Sequence, residues 1–338
     1  MHLPSLLNLT ALTPGNPSPS SLPTVRSTLG SINFPDPSIT YDPQTSSWYA
    51  FASQGNSHHI QAATSSHSPY GPWRYLNATD LLPHPGPWTN ASFPATWAPD
   101  VQYLPATDSF VLYYAAALPQ PHGRYKCIGA ATAPNITGPY EPSETPIVCP
   151  VRDGGAIDAS GFRDEADGSR WILYKVDGSA LGPGGKCGNG EPPGEPTPLM
   201  LQRVDERDGV TRVGEPRVLM DRDPEVDGPL VEAPSLVRLR EVPDGAEWRY
   251  VLFYSSHCYN EEEYDVRYAV AEGIEGPWKR MGQLMGKQKG SFGGVKAPGG
   301  ATGVPGGRGF VFHADCEAGR CMFDARFVVK DGRIKITG

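Results

Sequence analysis

Five times along this chain three strand-like segments recur in one order, and that repetition narrows the possible folds more than any other feature. The first segment of each unit is short and led by small or polar residues: "DPSITYD" from Asp36, "APDVQYL" from Ala98, "DASGFRD" from Asp158, "EAPSLVRL" from Glu232 and, less regularly, "GGATGV" from Gly299. The second is rich in aromatics: "WYAFAS" at Trp48, "FVLYYAA" at Phe110, "RWILYKV" at Arg170, "YVLFYSS" at Tyr250 and "GFVFHAD" at Gly309. The third is "HIQAATSS" at His59, "CIGAATA" at Cys127, "PLMLQRV" at Pro198, "VRYAVAEG" at Val266 and "MFDARFVV" at Met322. Three of these run into a matching corner, "SPYGPWRY", "NITGPYEP" or "IEGPWKR", where Gly-Pro sets the turn and the aromatic residue plugs the unit.

Residues 36, 98, 158 and 232 lie about 60 to 75 positions apart, so five such units account for the chain from about Ile32 onward. No amphipathic stretch is long enough to supply a helix layer, and 39 glycines with 36 prolines fit a chain of strands and turns. Repeats of antiparallel sheet that lack complete cores alone bury their faces against one another. The expected fold is therefore all-β, a five-bladed β-propeller of four-stranded antiparallel blades. Residues 31–338 form its single domain and residues 1–30 an N-terminal extension or closure segment. A β-sandwich is the competing architecture, but a sandwich has no need of five units in the same internal order.

The formal charge of −8 and the pI near 5.5 exclude the basic footprint of a nucleic-acid or anionic-membrane partner and suit a neutral substrate. No apolar run approaches the roughly 18 residues of a transmembrane helix. Asn8, Asn77, Asn90 and Asn135 each begin an Asn-x-Ser/Thr sequon, and the cysteines are six, with no Cys-x-x-Cys pair. Together these features point to a secreted, oxidised protein with disulfides rather than a zinc site. Cys316 with Cys321 and Cys127 with Cys149 are candidate pairs, although six cysteines can pair in many ways and sequence does not choose among them. The opening "MHLPSLLNLT" lacks a basic n-region and a full h-region, as in a chain whose signal peptide has been removed.

In a propeller the innermost strands run beside the central axis, so matched positions near their starts converge on one end of a tunnel. Three of the five carry carboxylates: Asp36, Asp158 and Glu232. Convergent carboxylates in a concave site are what glycoside hydrolysis requires. Glu232, flanked by Val231, Ala233 and Pro234, is the expected proton donor, because apolar surroundings raise a carboxyl pKa. Asp36, between Pro35 and Pro37, is the expected base that activates water. Asp158 is the expected third acid, orienting the donor and raising its pKa by like-charge repulsion.

"FPDPSITYD", "WAPDVQYL", "AIDASGFRDEADGSRWILYK" and "VEAPSLVRL" together resemble the blade-opening motifs of glycoside hydrolase family 43, from about Asn33 to the chain end. The resemblance implies a five-bladed propeller that inverts anomeric configuration, with Asp36 as general base, Asp158 as pKa modulator and Glu232 as general acid. It implies no required cofactor. The chain departs from the family pattern where Ala159 replaces a proline. In the last unit, "KAPGGATGV" offers no His-Asn pair, so few substrate contacts are expected there.

His313 in "FVFHAD" matches a histidine that supports a structural calcium ion or a water in several family members; the alternative is a buried histidine bonding nearby backbone. Trp97 is expected at the tunnel mouth, stacking on a sugar or packing a blade. His257 either points toward Glu232 or sits on a surface loop. The two histidines of "SHH", at His58 and His59, point to opposite faces of a strand and are discounted as a metal site. The longest loop, "DGSALGPGGKCGNGEPPGEPTP" from Asp177 to Pro198, would wall the site if its base lies on the carboxylate side.

The function expected is a secreted, inverting glycosidase acting on arabinan, arabinoxylan or a related plant cell-wall carbohydrate, an α-L-arabinofuranosidase or exo-arabinanase. β-Xylosidase and exo-β-galactanase are the alternatives within the family. A propeller that binds carbohydrate without cleaving it, or one that binds proteins, is the alternative of another class.

Overall fold

The computed structural model describes residues 27–241, 245–289 and 292–337. Their strands form five four-stranded antiparallel sheets arranged as a five-bladed β-propeller. Blade one holds β1 (Ser38–Asp42), β2 (Ser47–Ala52), β3 (Gln61–Ser65) and β4 (Arg74–Tyr75). Blade two holds β5 (Trp97–Leu104), β6 (Ser109–Ala117), β7 (Lys126–Ala133) and β8 (Glu141–Pro142). Blade three holds β9 (Ala156–Arg163), β10 (Arg170–Val176), β11 (Leu199–Val204) and β12 (Arg212–Met220). Blade four holds β13 (Val231–Arg238), β14 (Tyr250–Ser256), β15 (Asp265–Ala271) and β16 (Lys279–Met285), and blade five β17 (Gly299–Gly303), β18 (Gly309–Cys316), β19 (Gly319–Lys330) and β20 (Arg333–Ile336).

The aromatic second strands of the repeat are covered on both faces, which is why they read as continuous apolar runs. All seven residues of β14 are buried. The core is accordingly divided into five clusters, each seated between two neighbouring blades: Phe51 meets Leu112, Ile128 meets Ile172, Leu173 meets Leu252, Phe253 meets Phe310, and Val311 meets Phe34. No blade encloses a core of its own, so the ring is the smallest stable unit.

The two ends of the described residues meet at blade five. Thr28 N–H donates to Met322 O (3.0 Å) and Phe34 N–H to Arg320 O (2.7 Å), laying residues 27–34 along β19. Residues 1–26 of the expected N-terminal extension, with the Asn8 sequon and the opening "MHLPSLLNLT", lie outside the described residues. At the three Gly-Pro corners Gly71, Gly138 and Gly276 have positive φ, and a Cβ on Gly71 or Gly276 would approach the corner tryptophan's Cδ1 to 2.9 Å. The repeated turn thus depends on glycine for both conformation and space.

Disulfides join Cys127 to Cys149, Cys316 to Cys321 and Cys187 to Cys258. Among the described residues no helix is long and apolar enough to cross a membrane.

Candidate active site

Each inner strand opens on one residue in the left-handed conformation: Asp36 (φ 53°), Ala98 (42°), Asp158 (59°), Ala233 (50°) and Gly300 (56°). The residue just before it faces the blade's second strand, pairing Trp97 with Ala115, Ile157 with Lys175, Glu232 with Ser255 and Gly299 with His313. In blade one the same relation appears as Ser53 N–H donating to Pro35 O (3.1 Å). These equivalences correct the sequence alignment of the three acids. Asp36 and Asp158 occupy the left-handed position, but Glu232 stands one residue earlier, at the position of Trp97 in blade two. Blades two to five all carry the same bulge just after this position, so the offset is one of residue identity: in blade four the carboxylate is borne by the residue before the left-handed one.

The second-strand residues do a common job. Ser53 Oγ accepts from Ala98 N–H (2.8 Å), Ser255 Oγ from Gly300 N–H (2.9 Å) and His313 Nδ1 from Asp36 N–H (2.7 Å). Each caps the left-handed residue of the next blade, and His313 closes the ring from blade five to blade one. The corresponding residue of blade three is Lys175, which has no acceptor to offer. There the Ala233 N–H donates instead to Asp158 Oδ2 (2.9 Å).

Asp36, Asp158 and Glu232 line one cavity of about 410 Å³ at the axis, together with Trp97, Tyr259 and Arg320. Asp36 accepts a short hydrogen bond from Ser53 Oγ, and burial raises its pKa against the lowering effects of that bond and of Arg320. Burial, and then the charge of Glu232, push Asp158 up to about 8. Glu232 accepts from Tyr264 Oη at Oε1 (2.9 Å) and from Lys175 Nζ at Oε2 (3.2 Å). The apolar sequence neighbours expected to surround Glu232 therefore do not define its environment; a hydroxyl and an ammonium from other strands do.

Trp97 stands at the rim, 37% exposed, with Lys126 Nζ 3.7 Å from its ring centroid. One face is thus taken by a cation and the other is free for the cavity. Blade five contributes more than its glycine-rich sequence implies. Thr302 and Arg320 both line the cavity, and the Arg320 guanidinium lies 5.0 Å from the Tyr264 ring while donating to Ala297 O (2.6 Å).

His257 is not among the cavity's lining residues. Its Nδ1 lies 2.9 Å from Ser256 Oγ and its N–H donates to Asp227 O (2.9 Å), so it turns away from Glu232. His313 lines the cavity floor but does not fit a calcium ligand. Its Nδ1 is taken by a backbone N–H, burial holds its pKa well below that of an ordinary histidine, and the proton of the neutral ring then sits on Nε2, a donor. Among the described residues no group of three or more His, Cys, Asp or Glu side chains is placed to hold a metal.

The long loop from Asp177 to Pro198 does not itself line the cavity. Its Cys187 is bonded to Cys258 and its Lys186 pairs with Glu261 (2.9 Å), and of the two residues between those anchors Tyr259 does line it. Lys175, Tyr264, Tyr259 and Arg320 are the residues that sequence reasoning missed. The one available signal was Lys175, a cation inside the apolar run "RWILYKV".

No curated protein matches the chain. Solved structures with a similar course include a thermostable family-43 glycoside hydrolase, 23% identical over 93% of this chain and 96% of that one, with a TM-score of 0.71. An endo-1,4-beta-xylanase from Bacteroides thetaiotaomicron is 21% identical over 93% and 97% of the two chains (TM-score 0.65). An exo-1,5-alpha-L-arabinanase from a bovine ruminal metagenomic library is 18% identical over 95% and 99% (TM-score 0.60). At these identities the likeness is one of fold. A sequence model of one family, described as "Glycosyl hydrolases family 43", matches residues 26–329.

Proposed function

The chain belongs to glycosyl hydrolase family 43, and from that premise we propose that it is a secreted, inverting, exo-acting glycosidase that removes α-L-arabinofuranosyl units from plant cell-wall polysaccharide. The observation that carries the reading is the meeting of Asp36, Asp158 and Glu232, from three different blades, in one cavity of a size that encloses a small ligand. Glu232 gives its proton to the leaving oxygen, Asp36 takes a proton from the attacking water, and Asp158 sets the charge around Glu232. Hydrolysis by two carboxylates needs water and no cofactor. Trp97 supplies a ring for the sugar's apolar face, and Arg320 a donor for its hydroxyls.

A compact cavity rimmed by Trp97 and Tyr259 suits a terminal unit better than a chain passing through. Arabinan or arabinoxylan is the substrate of choice, and an arabinanase, a xylosidase and a putative exo-beta-1,3-galactanase of similar fold set the competing sugars. Secretion is supported by three disulfides and by the exposed sequon residues Asn77 and Asn135.

The test is a panel of arabinan, arabinoxylan, xylooligosaccharide and galactan substrates, with the first anomer released read by proton NMR. Release of arabinose with inverted configuration is expected. Release of xylose or galactose alone moves the specificity to those sugars, retention rejects the activated water, and undiminished turnover by Glu232→Gln rejects Glu232 as the acid.

A further inference from the structure

Lys175 is among the most deeply buried charges of the molecule, its side chain 1% exposed. Its ammonium is shared between two carboxylates, Glu232 Oε2 at 3.2 Å and Asp177 Oδ1 at 3.1 Å. The fold does not require a cation there. At the equivalent second-strand position the other blades carry Ser53, Ala115, Ser255 and His313, all neutral, and three of them cap the next blade. Lys175 gives up that cap, so a buried lysine has replaced a residue that would have served the scaffold at lower desolvation cost.

We propose that Lys175 is a positioning residue for Glu232, and that its division between Glu232 and Asp177 sets the pH above which the site no longer holds an acid. The inference rests on the reading of Glu232 as proton donor. Both Glu232 oxygens accept hydrogen bonds, one from Lys175 and one from Tyr264, the residue just before β15. The other charged or titratable groups facing this pair are Asp158 from β9, Asp36 before β1 and Arg320 from β19, with Lys126 of β7 beyond Asp177. Burial works against the charge of Lys175, but Asp177, Glu232 and Asp158 outweigh it and hold its pKa above that of an ordinary lysine. Asp177 competes for the ammonium, so Lys175 pulls on Glu232 with only part of its charge.

The competition gives two substitutions effects of opposite sign. Removing the cation with Lys175→Met favours protonated Glu232, and removing the competitor with Asp177→Asn gives Glu232 the whole cation and favours the carboxylate. The measurement is the pH profile of kcat/KM on an oligosaccharide with an unactivated leaving group. The alkaline limb is expected to rise by about one pH unit in Lys175→Met and to fall by a similar amount in Asp177→Asn. Lys175→Arg, which keeps the charge, is expected to bring the limb back toward native.

Loss of activity in both variants with the limb unmoved overturns the proposal, as does movement in the same direction. If Lys175→Met does not fold, Asp177→Asn, nearly isosteric, decides alone: a lowered limb supports the assignment and an unmoved one overturns it. Glu232→Gln separates this inference from its premise. Retained activity in that variant rejects the acid itself, whereas lost activity with unmoved limbs rejects only the role of Lys175.

Discussion

Asp158 Oδ2 accepts the N–H of Ala233, the residue that follows Glu232, at 2.9 Å. One acid of the site therefore holds the backbone that presents another, and it fills the cap that Lys175 cannot supply. Position and charge are joined in Asp158: it holds the backbone that follows Glu232, and burial, then the charge of Glu232, raises its pKa.

Asp158→Asn separates the two contributions. The amide oxygen still accepts from Ala233, so the melting temperature should stay near native while kcat falls about a hundredfold. Asp158→Ala loses the bond as well and should unfold earlier, with a cost of about 1–3 kcal/mol for the orphaned N–H. Thermal melts and steady-state kinetics on the two variants check this.

The two catalytic carboxylates should respond differently to the leaving group. Glu232→Gln is expected to lower kcat about a thousandfold on oligosaccharides yet spare much of the rate on aryl glycosides whose phenolate leaves without protonation. Asp36→Asn removes water activation and should lower both alike. The ratio of rates on the two substrates reads the distinction directly.

Trp97 has Lys126 over one face and the cavity at the other. Trp97→Ala should raise KM roughly tenfold with kcat little changed, the loss of one stacking contact. A large fall in kcat at unchanged KM would assign the ring to blade packing.

Asp100, buried where the active cavity meets a second axial cavity, is pushed up to about 7 by burial, against hydrogen bonds from Gly161 and Gln102. A carboxyl whose folded pKa exceeds its unfolded value of about 3.9 contributes stability that is complete below that value. The contribution is lost as pH rises toward 7. Asp100→Asn, which keeps an acceptor for Gly161 N–H, should therefore gain melting temperature relative to native between pH 4 and pH 8, by a few degrees. A constant difference across that range would remove Asp100 from the titration.

The Cys187–Cys258 bond anchors the loop carrying Tyr259. Replacing both cysteines by serine should raise KM through a loosened rim and lower the melting temperature, while kcat on small aryl glycosides stays near native. Unchanged KM would mean that Tyr259 is held by Arg320, which donates to its carbonyl, without help from the disulfide.

The propeller, its five units and the gathering of Asp36, Asp158 and Glu232 were legible in the sequence, because strand periodicity and turn chemistry are local and repeat with the blade. Two of the three disulfides were among its candidate pairs, although the sequence did not choose between pairings. Tertiary pairing decided the rest. That Glu232 faces Ser255, one residue ahead of the left-handed position held by Asp36 and Asp158 in their own blades, is established by the register between β13 and β14. Lys175, Tyr264 and Arg320 look like ordinary strand residues until the ring closes and brings their charges and hydroxyls to Glu232 and Asp36. His257, close to the site along the chain, turns away from it because a side chain's neighbours are set by which face of which strand it leaves. Sequence distance carries no such information. The repeat determined what kind of site this protein builds; the packing of one blade on the next decided the electrostatics under which that site works.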